Sequence, residues 1–551
     1  MVKEAQNLPI HFTEENLRWE VDSGTSHHYP MPAIVGDKIF IAGNVRGAPE
    51  PLPRSAMRRG SSLVCRSLSD GSEHWRLISG GNGRGDGFGV CGSPVVIGDE
   101  VYVLAQEDLY CLDVNGMADG NQGSQNELEY MTDSGWRGPK PDALPEWAAD
   151  VIWRYSFRDM NIRVQDAISA TPLVLEDQIW ISTANEMGSE ARGDWNRKTE
   201  TWDKHEPKPH MLVVDRKTGK LIATDQMDVP IIFHGEWSSP SAVSMNGETI
   251  VVFPDGYGLL HGLALPEPSA DGTPVLIEEL WTLDLNPHEF RYDEQGLRHV
   301  YTHDVRPPFP GKYPHGWIQD TTVWQSYPEA WIESRKTGKP FEGDWREAPI
   351  HDLKFVGRND PDAAVSPHAD GPCEVIGMPV VIDNKVYVGL SRDYNYTGTT
   401  DMPEELGSPE GKKRKWRYGR FMCLEFSDLK QAPSVRWEDR HVSMFQCNAS
   451  VHDGLVYAAD LGGFLNCWDA DTGEVVYKYD IGASMKERSQ MVADGKIYIC
   501  TDAEELIVLT AGPEPQELSR TKISHYSATP AVADGVIALA LPREVLVYEQ
   551  E

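Results

Sequence analysis

The sequence predicts an all-β protein: an eight-bladed β-propeller of four-stranded blades, with seven blades as the alternative if one copy is degenerate. Three observations predict it. A short hairpin pattern recurs eight times, and Gly377-Met378-Pro379-Val380-Val381-Ile382-Asp383-Asn384-Lys385-Val386-Tyr387-Val388 shows it most plainly. Two further β-like segments follow each copy but the last. The last copy runs out of chain after its third strand, whereas a lone strand around Trp19 precedes the first. A four-stranded unit of this size cannot bury both faces alone, and units packed radially bury them against their neighbours. Pairing the two termini then completes the last blade and closes the ring.

The copies fall into register on the residue eight places before an apolar or aromatic anchor. They begin at Pro32, Pro94, Pro172, Pro240, Pro379, Ala449, Gln490 and Pro530, and the Pro240 copy carries about two extra residues. Tight polar turns divide the hairpins, as at Gly36-Asp37, Gly98-Asp99, Asp383-Asn384, Asp453-Gly454, Asp494-Gly495 and Asp534-Gly535; such pairs suit hairpins that need positive φ. Third strands read as Ser62-Leu63-Val64-Cys65, Leu109-Tyr110-Cys111-Leu112, Met211 to Asp215, Leu259 to Gly262, Phe421 to Leu424, Phe464 to Asp469, Glu505 to Leu509 and Val545 to Tyr548. Fourth strands carry a tryptophan at Trp75, Trp153, Trp281 and Trp437, with Trp19 in the lone strand; Ile222 and Tyr477 take that place elsewhere.

The insertions are unevenly placed. Connections between second and third strands swell in copies one, three (184–209) and five (391–420), and residues 286–376 form a cap-like insertion between copies four and five. In an up-and-down blade these connections leave on one end of the ring, so that end is elaborated; 115–150 is the exception on the other. The chain is expected to be one propeller domain over 1–551. A rigid scaffold with one elaborated end is a common way to host a site.

Composition narrows the function. A formal charge of -34 argues against nucleic acid, whose phosphates require Lys and Arg. No apolar run approaches the length of a membrane span. The opening residues Met1 to Asn7 have no apolar stretch of the secretory kind, so the default expectation is cytoplasmic. Four of the eight cysteines, Cys65, Cys111, Cys423 and Cys467, recur at one place in the third strand, as a small buried hydrophobe does, so reduced structural thiols are expected.

The strings Asp469-Ala470-Asp471-Thr472-Gly473 and Asp215-Arg216-Lys217-Thr218-Gly219 resemble the PQQ-like propeller repeat of quinoprotein alcohol dehydrogenases and of the outer-membrane assembly propeller. In that repeat a strand ends in Ala-x-Asp, turns at Thr-Gly and reaches a docking Trp. His234-Gly235-Glu236-Trp237-Ser238-Ser239-Pro240 and Leu455 to Gly463 resemble the branch of PQQ-binding-like repeat proteins common in planctomycete-type bacteria. The resemblance spans nearly the whole chain outside 286–371 and implies the fold; that family is commonly exported. The quinoprotein dehydrogenases hold their quinone against an adjacent Cys pair. This chain has no such pair, and their Glu/Asn/Asp calcium set is not placed by motif, so PQQ is not expected.

The candidate site follows from register. Residues just before each first strand line the channel mouth at the elaborated end: His27 and His28; Arg163, Gln165 and Asp166; His234 and Glu236; Glu374; Phe445 and Gln446; Lys486 and Arg488; His525 and Tyr526. Each also has a plainer reading. A lone His is often a structural hydrogen-bonder, Arg163 and Asp166 can pair with each other, Glu236 can be a structural acceptor and Tyr526 a rim aromatic. His27 and His28 point to opposite faces if extended, so at most one of them is expected to face the channel.

Two chemistries fit the ring. In one, His27, His234 and His525 hold a divalent metal that polarises a substrate oxygen. In the other, Arg163 and Lys486 neutralise an anionic sugar while His234 or Tyr526, with Glu236, moves a proton next to its carboxylate, a lyase reaction. Asp166, Gln165, Gln446, Arg488 and Trp416, the last in the basic stretch Lys412 to Arg420, would contact the sugar. The expected ligand is a small molecule or polysaccharide. A carbohydrate-active enzyme leads, ahead of a non-catalytic binding or scaffold propeller and a PQQ- or metal-dependent oxidoreductase.

Overall fold

The computed structural model describes residues 5–26, 29–45, 60–80, 89–132, 136, 140–162, 164, 169–185, 194–196, 201–203, 208–229, 236–287, 374–390, 400–401, 415–416, 419–485, 488–533 and 535–550. These residues form eight blade sheets in sequence order, the four blade strands of each antiparallel and side by side, and two two-stranded ribbons, Asp194–Asn196 with Thr201–Asp203 and Thr400–Asp401 with Lys415–Trp416. Blade one is Ala33–Val35, Lys38–Val45, Gly60–Ser67 and Glu73–Gly80; blade two is Val95–Ile97, Glu100–Ala105, Asp108–Asp113 and Val151–Ser156. Blade three is Leu173–Leu175, Gln178–Ser182, Met211–Asp215 and Leu221–Thr224; blade four is Ser241–Met245, Glu248–Pro254, Leu259–Ala264 and Glu279–Asp284. Blade five is Val380–Ile382, Lys385–Gly389, Phe421–Glu425 and Ser434–Asp439; blade six is Ser450–His452, Leu455–Ala459, Phe464–Asp469 and Val475–Asp480. Blade seven is Met491–Ala493, Lys496–Cys500, Glu505–Thr510 and Glu517–Lys522. Blade eight is Ala531–Ala533, Val536–Ala540 and Glu544–Glu549, completed by Leu17–Asp22, which pairs antiparallel with Glu544–Glu549. The expected closure through the two ends of the chain is present.

The blade-four hairpin is longer than the sequence register suggests. Its first two strands share five paired positions, from Ser241↔Val252 to Met245↔Glu248, where blade five shares three. Each strand therefore gains two residues. The insertion at 286–376 lies almost wholly outside the described residues, of which 286–287 and 374–376 are its ends.

Eight clusters of the hydrophobic core lie one in each seam between neighbouring blades, and a ninth gathers Ile78, Met131 and Ala148. The tryptophans explain how five of these seams lock. Trp75 Nε1 donates to the Val114 carbonyl at 3.0 Å, Trp153 to Arg216 at 3.0 Å, Trp281 to Leu429 at 3.0 Å, Trp437 to Ala470 at 3.1 Å and Trp19 to Leu68 at 2.8 Å. In every case the acceptor belongs to the next blade, in its turn between third and fourth strands. In four of the five docks a glycine of that connection lies under the ring: a Cβ on Gly473 (φ +74°) would stand 2.4 Å from Trp437 Cγ, and one on Gly219 (φ +66°) 2.4 Å from Trp153 Cε3. The Thr-Gly turn and the tryptophan are thus two halves of one dock.

Within a blade the residue paired with the tryptophan is small. Cys65 faces Trp75, Cys111 faces Trp153, Cys423 faces Trp437 and Cys467 faces Tyr477, while blade four has Gly262 opposite Trp281. All seven described cysteines are buried. Burial pushes the Cys65 and Cys467 thiols up to about 12 and Cys423 to about 11, which leaves them protonated and inert.

Pairing corrects one sequence expectation. Ala223, not Ile222, sits at the docking position of blade three, because Ile222 occupies the irregularity between Leu221 and Ala223. That seam is closed instead by Val275–Leu276, which pairs parallel with Leu221–Thr224 as a fifth strand. In blade seven the docking position falls to Ser519, in a polar fourth strand that hydrophobic patterning does not reveal.

A belt of hydrogen bonds ties the inner strands. The residue immediately before each repeat start donates its amide to the side chain at the same place one blade on: Met31 to Ser93 (3.1 Å), Ser93 to Thr171 (3.1 Å), Thr171 to Ser239 (2.8 Å), Met378 to Asn448 (2.7 Å), Asn448 to Ser489 (2.8 Å) and Ser489 to Thr529 (2.9 Å). The other two junctions meet Met378 and Met31, whose side chains are poor acceptors. At the first of these, Ser238 and Ser241 hydroxyls bond the Gly377 and Pro379 carbonyls instead.

Candidate functional site

At the end of the ring opposite the tryptophan docks, the connection into blade six meets the turn between that blade's second and third strands. Asp460 shows how the two are joined. Its carboxylate accepts from the Phe464 amide at 3.1 Å, from the Ser443 amide of the incoming connection at 3.2 Å and from Asn466 Nδ2 at 3.0 Å. Asp255 holds the corresponding turn of blade four, accepting from the Tyr257 and Leu259 amides. Asp–x–x–x before a third strand is a signal legible in the sequence that the repeat reading passed over.

Glu236 is described, and it is wholly buried. Its Oε2 lies 3.0 Å from His210 Nδ1, and its Oε1 has no hydrogen-bond partner among the described residues. His210 enters the third strand of blade three, so the pair pins the connection into blade four against blade three. Burial works against the charged imidazole, but Glu236 overrides it and lifts His210 to about 9. Burial in turn raises the Glu236 carboxyl, opposed by His210. Nearby, Asp225 accepts from the Met211 and Met227 amides, and burial raises it too.

His261 extends this charged group into blade four. Its Nε2 lies 3.1 Å from Asp255 Oδ2 and its Nδ1 2.8 Å from Glu279 Oε1. Carboxylates accept, so both ring nitrogens carry protons and the ring is an imidazolium. Burial opposes that charge, but the two carboxylates hold it, at about 10. Sequence register missed His210, Asp225, Asp255 and His261, because none lies just before a repeat start.

The connections into blades seven and eight bring another set together. Arg488 is nearly buried and pairs through Nη1 with Asp502 Oδ1. Its guanidinium also lies 4.7 Å from the centre of the half-buried Tyr526 ring. His525 is exposed, with Nδ1 3.9 Å from Glu504 Oε1. Gln446 is buried, and its Oε1 has no partner among the described residues. Phe445 is a core residue rather than a lining one: it packs against Phe421 and Trp468, 5.1 and 6.4 Å between centres. Glu374 is buried.

Glu236 and Tyr526 belong to blades four and eight, half a ring apart. His27, His28, Arg163, Gln165, Asp166, His234 and Lys486 lie outside the described residues. Trp416 is described as backbone, in a short ribbon where it pairs with Thr400. Among the described residues no three His, Cys, Asp or Glu side chains are grouped to hold a metal ion, and no helix is long and apolar enough to cross a membrane.

Strand order and closure define the chain as an eight-bladed β-propeller. No protein-family model matches the chain, and no curated protein matches it. Among solved structures it is similar to BamB from Moraxella catarrhalis, at 10% identity over 97% of both chains with a TM-score of 0.47. It is also similar to the computationally designed Ika8 protein, at 10% identity over 99% of both chains (TM-score 0.43). A third is the quinohemoprotein alcohol dehydrogenase from Comamonas testosteroni, at 11% identity over 99% of this chain and 78% of that one (TM-score 0.42).

Proposed function

We propose that the propeller binds a carbohydrate at the end of the ring where the connections into new blades converge, and acts on it there. The observation that carries this reading is the half-buried Tyr526 ring with Arg488 against it and Asp502 fixing Arg488. An aromatic ring braced in this way offers its remaining surface to the apolar side of a sugar ring. The repeat strings favour the planctomycete-type branch of PQQ-like repeat proteins as the chain's relatives.

The chemistry we assign is lyase-type, on a uronate. A base, His234 or Tyr526, takes the proton beside the carboxylate. The electron pair forms the ring double bond, the glycosidic carbon–oxygen bond breaks, and the leaving oxygen takes up a proton. Arg163 and Lys486 would neutralise the carboxylate as charge builds. Glu236, being buried against His210, would hold the connection that carries His234 rather than touch the sugar. A divalent metal on His27, His234 and His525 is the metal-assisted form of the same reading. Incubation with uronate polysaccharides, followed by ultraviolet absorbance of an unsaturated sugar, tests it, with metal analysis of the purified protein alongside.

The second reading is a non-catalytic binding propeller. It is favoured by the commitment of Glu236 to His210 and of Arg488 to Asp502, which leaves these two groups as structural ties. Sugar retention without product formation would select it. A quinone-dependent reaction would show instead as a spectral change on adding PQQ with calcium.

A further inference from the structure

Blade seven, like blade three, departs from the docking rule. Ser519 stands opposite Val508, where five of the blades carry the tryptophan that crosses to the next blade. The gap is filled by the segment that precedes the closing strand. Leu8 and Phe12 are buried between Tyr498, Leu506 and Val508 of blade seven and Val532, Ile537 and Leu539 of blade eight. Phe12 meets Tyr548 edge-on, 5.1 Å between centres at 90°.

The polar contacts of this segment run along the backbone, as they do for a bound peptide. The Leu8 amide donates to Asp494 Oδ2 at 2.9 Å, and Tyr498 donates its hydroxyl to the Pro9 carbonyl at 3.1 Å. Ser519 donates to the Ile10 carbonyl, and the Gly535 amide to the Gln6 carbonyl at 2.8 Å. Ser519 thus bonds the segment from the position a docking tryptophan would fill. Three of these four contacts read main-chain carbonyls and the fourth a main-chain amide, so the groove specifies an irregular strap by its backbone and by its apolar residues, Leu8 and Phe12 four apart with Ala5 and Ile10 beside them.

We propose that the seam between blades seven and eight is a peptide-docking groove, held in cis by residues 5–13 and able to take a peptide of the same chemistry, with a large apolar side chain at i and an aromatic at i+4, from another chain. The cis segment competes with that partner at high effective concentration. A partner therefore gains access when the segment's own anchors are weakened. The proposal stands apart from the reading of the opposite end of the ring.

The test uses the full chain and a fluorescent synthetic peptide of residues 5–13. Wild type is expected to bind it weakly, because its groove is filled. The L8S/F12S variant is expected to bind it at least tenfold more tightly, and S519W added to that variant is expected to abolish the gain by filling the groove as Trp75 fills the seam after blade one. If L8S/F12S does not fold alone, refolding it with the peptide is expected to restore a cooperative melt. The proposal is overturned if the folded variant binds no better than wild type, if S519W leaves binding unchanged, or if an unfolded variant is not rescued.

Discussion

The amide of Thr171 donates to the hydroxyl of Ser239 at 2.8 Å, across the seam between blades three and four. Both residues stand immediately before a repeat start, and five further junctions repeat the bond. The belt binds the inner edge of the ring, and the tryptophan docks bind its outer part. Replacing Ser239 with Ala leaves the Thr171 amide without this acceptor, and an orphaned buried donor costs about 1–3 kcal/mol. Denaturant unfolding should show that loss. Met31→Thr, which supplies an acceptor where the belt is interrupted, should raise stability by about 0.5–1.5 kcal/mol.

Where a turn glycine lies under a docking tryptophan, it is as necessary as the tryptophan. Gly473→Ala puts a methyl 2.4 Å from Trp437 Cγ at a φ of +74°. Overpacking with backbone strain should cost about 1–3 kcal/mol. Trp75→Ala should cost about 3–5 kcal/mol. Gly495→Ala serves as the comparison: it has the same positive φ but open space around the Cβ, so only the strain remains. If Gly473→Ala and Gly495→Ala melt alike, the dock is not what the turn glycine serves.

His210 and His261 make stability depend on pH in a direction fixed by sign. Both are raised in the fold above the ordinary value of 6.5, to about 9 and about 10. The stability they contribute is therefore fully present below about 6.5 and lost as pH rises through 9 and then 10. Wild type should lose stability steadily across that alkaline window. His261→Asn should flatten the upper part of the slope, and His210→Asn the lower part. Glu236→Gln breaks a buried pair from the other side and should cost about 3–5 kcal/mol near neutrality.

Tyr526 gives the sugar-binding reading a local handle. Tyr526→Ala removes a half-buried ring worth about 0.5–1.5 kcal/mol in stacking, roughly two- to tenfold in affinity for a bound sugar. Affinity electrophoresis in gels cast with uronate polysaccharide measures this directly, and the melting temperature should stay near that of wild type. Unchanged mobility would remove Tyr526 from the site.

Architecture was legible in the sequence because it is written in a local code. Repeat starts, turn pairs and the Asp-x-x-Thr-Gly string each specify a hairpin or dock, and the closure by Leu17–Asp22 followed from counting strands. What could not be read are the exceptions, which depend on neighbours. Nothing near Ser519 says that residues from the other end of the chain fill its seam, and nothing near Ala223 announces the parallel strand Val275–Leu276. Register found Glu236 but not His210, because the two are brought together by packing between blades three and four rather than by their place in a repeat. The meaning of the recurring cysteine was half visible: smallness and burial could be inferred, but the tryptophan opposite it is a fact of pairing.

The central claim is that the elaborated end of the ring acts on a sugar, and one measurement tests it most directly. Wild type, His234→Ala and Tyr526→Ala are incubated with a panel of uronate-containing polysaccharides while ultraviolet absorbance of an unsaturated sugar is followed. The account predicts a rising signal on at least one polymer with wild type, lost in one variant and reduced in the other, all three sharing the same melting behaviour. No signal across the panel, or a signal indifferent to both substitutions, would contradict it.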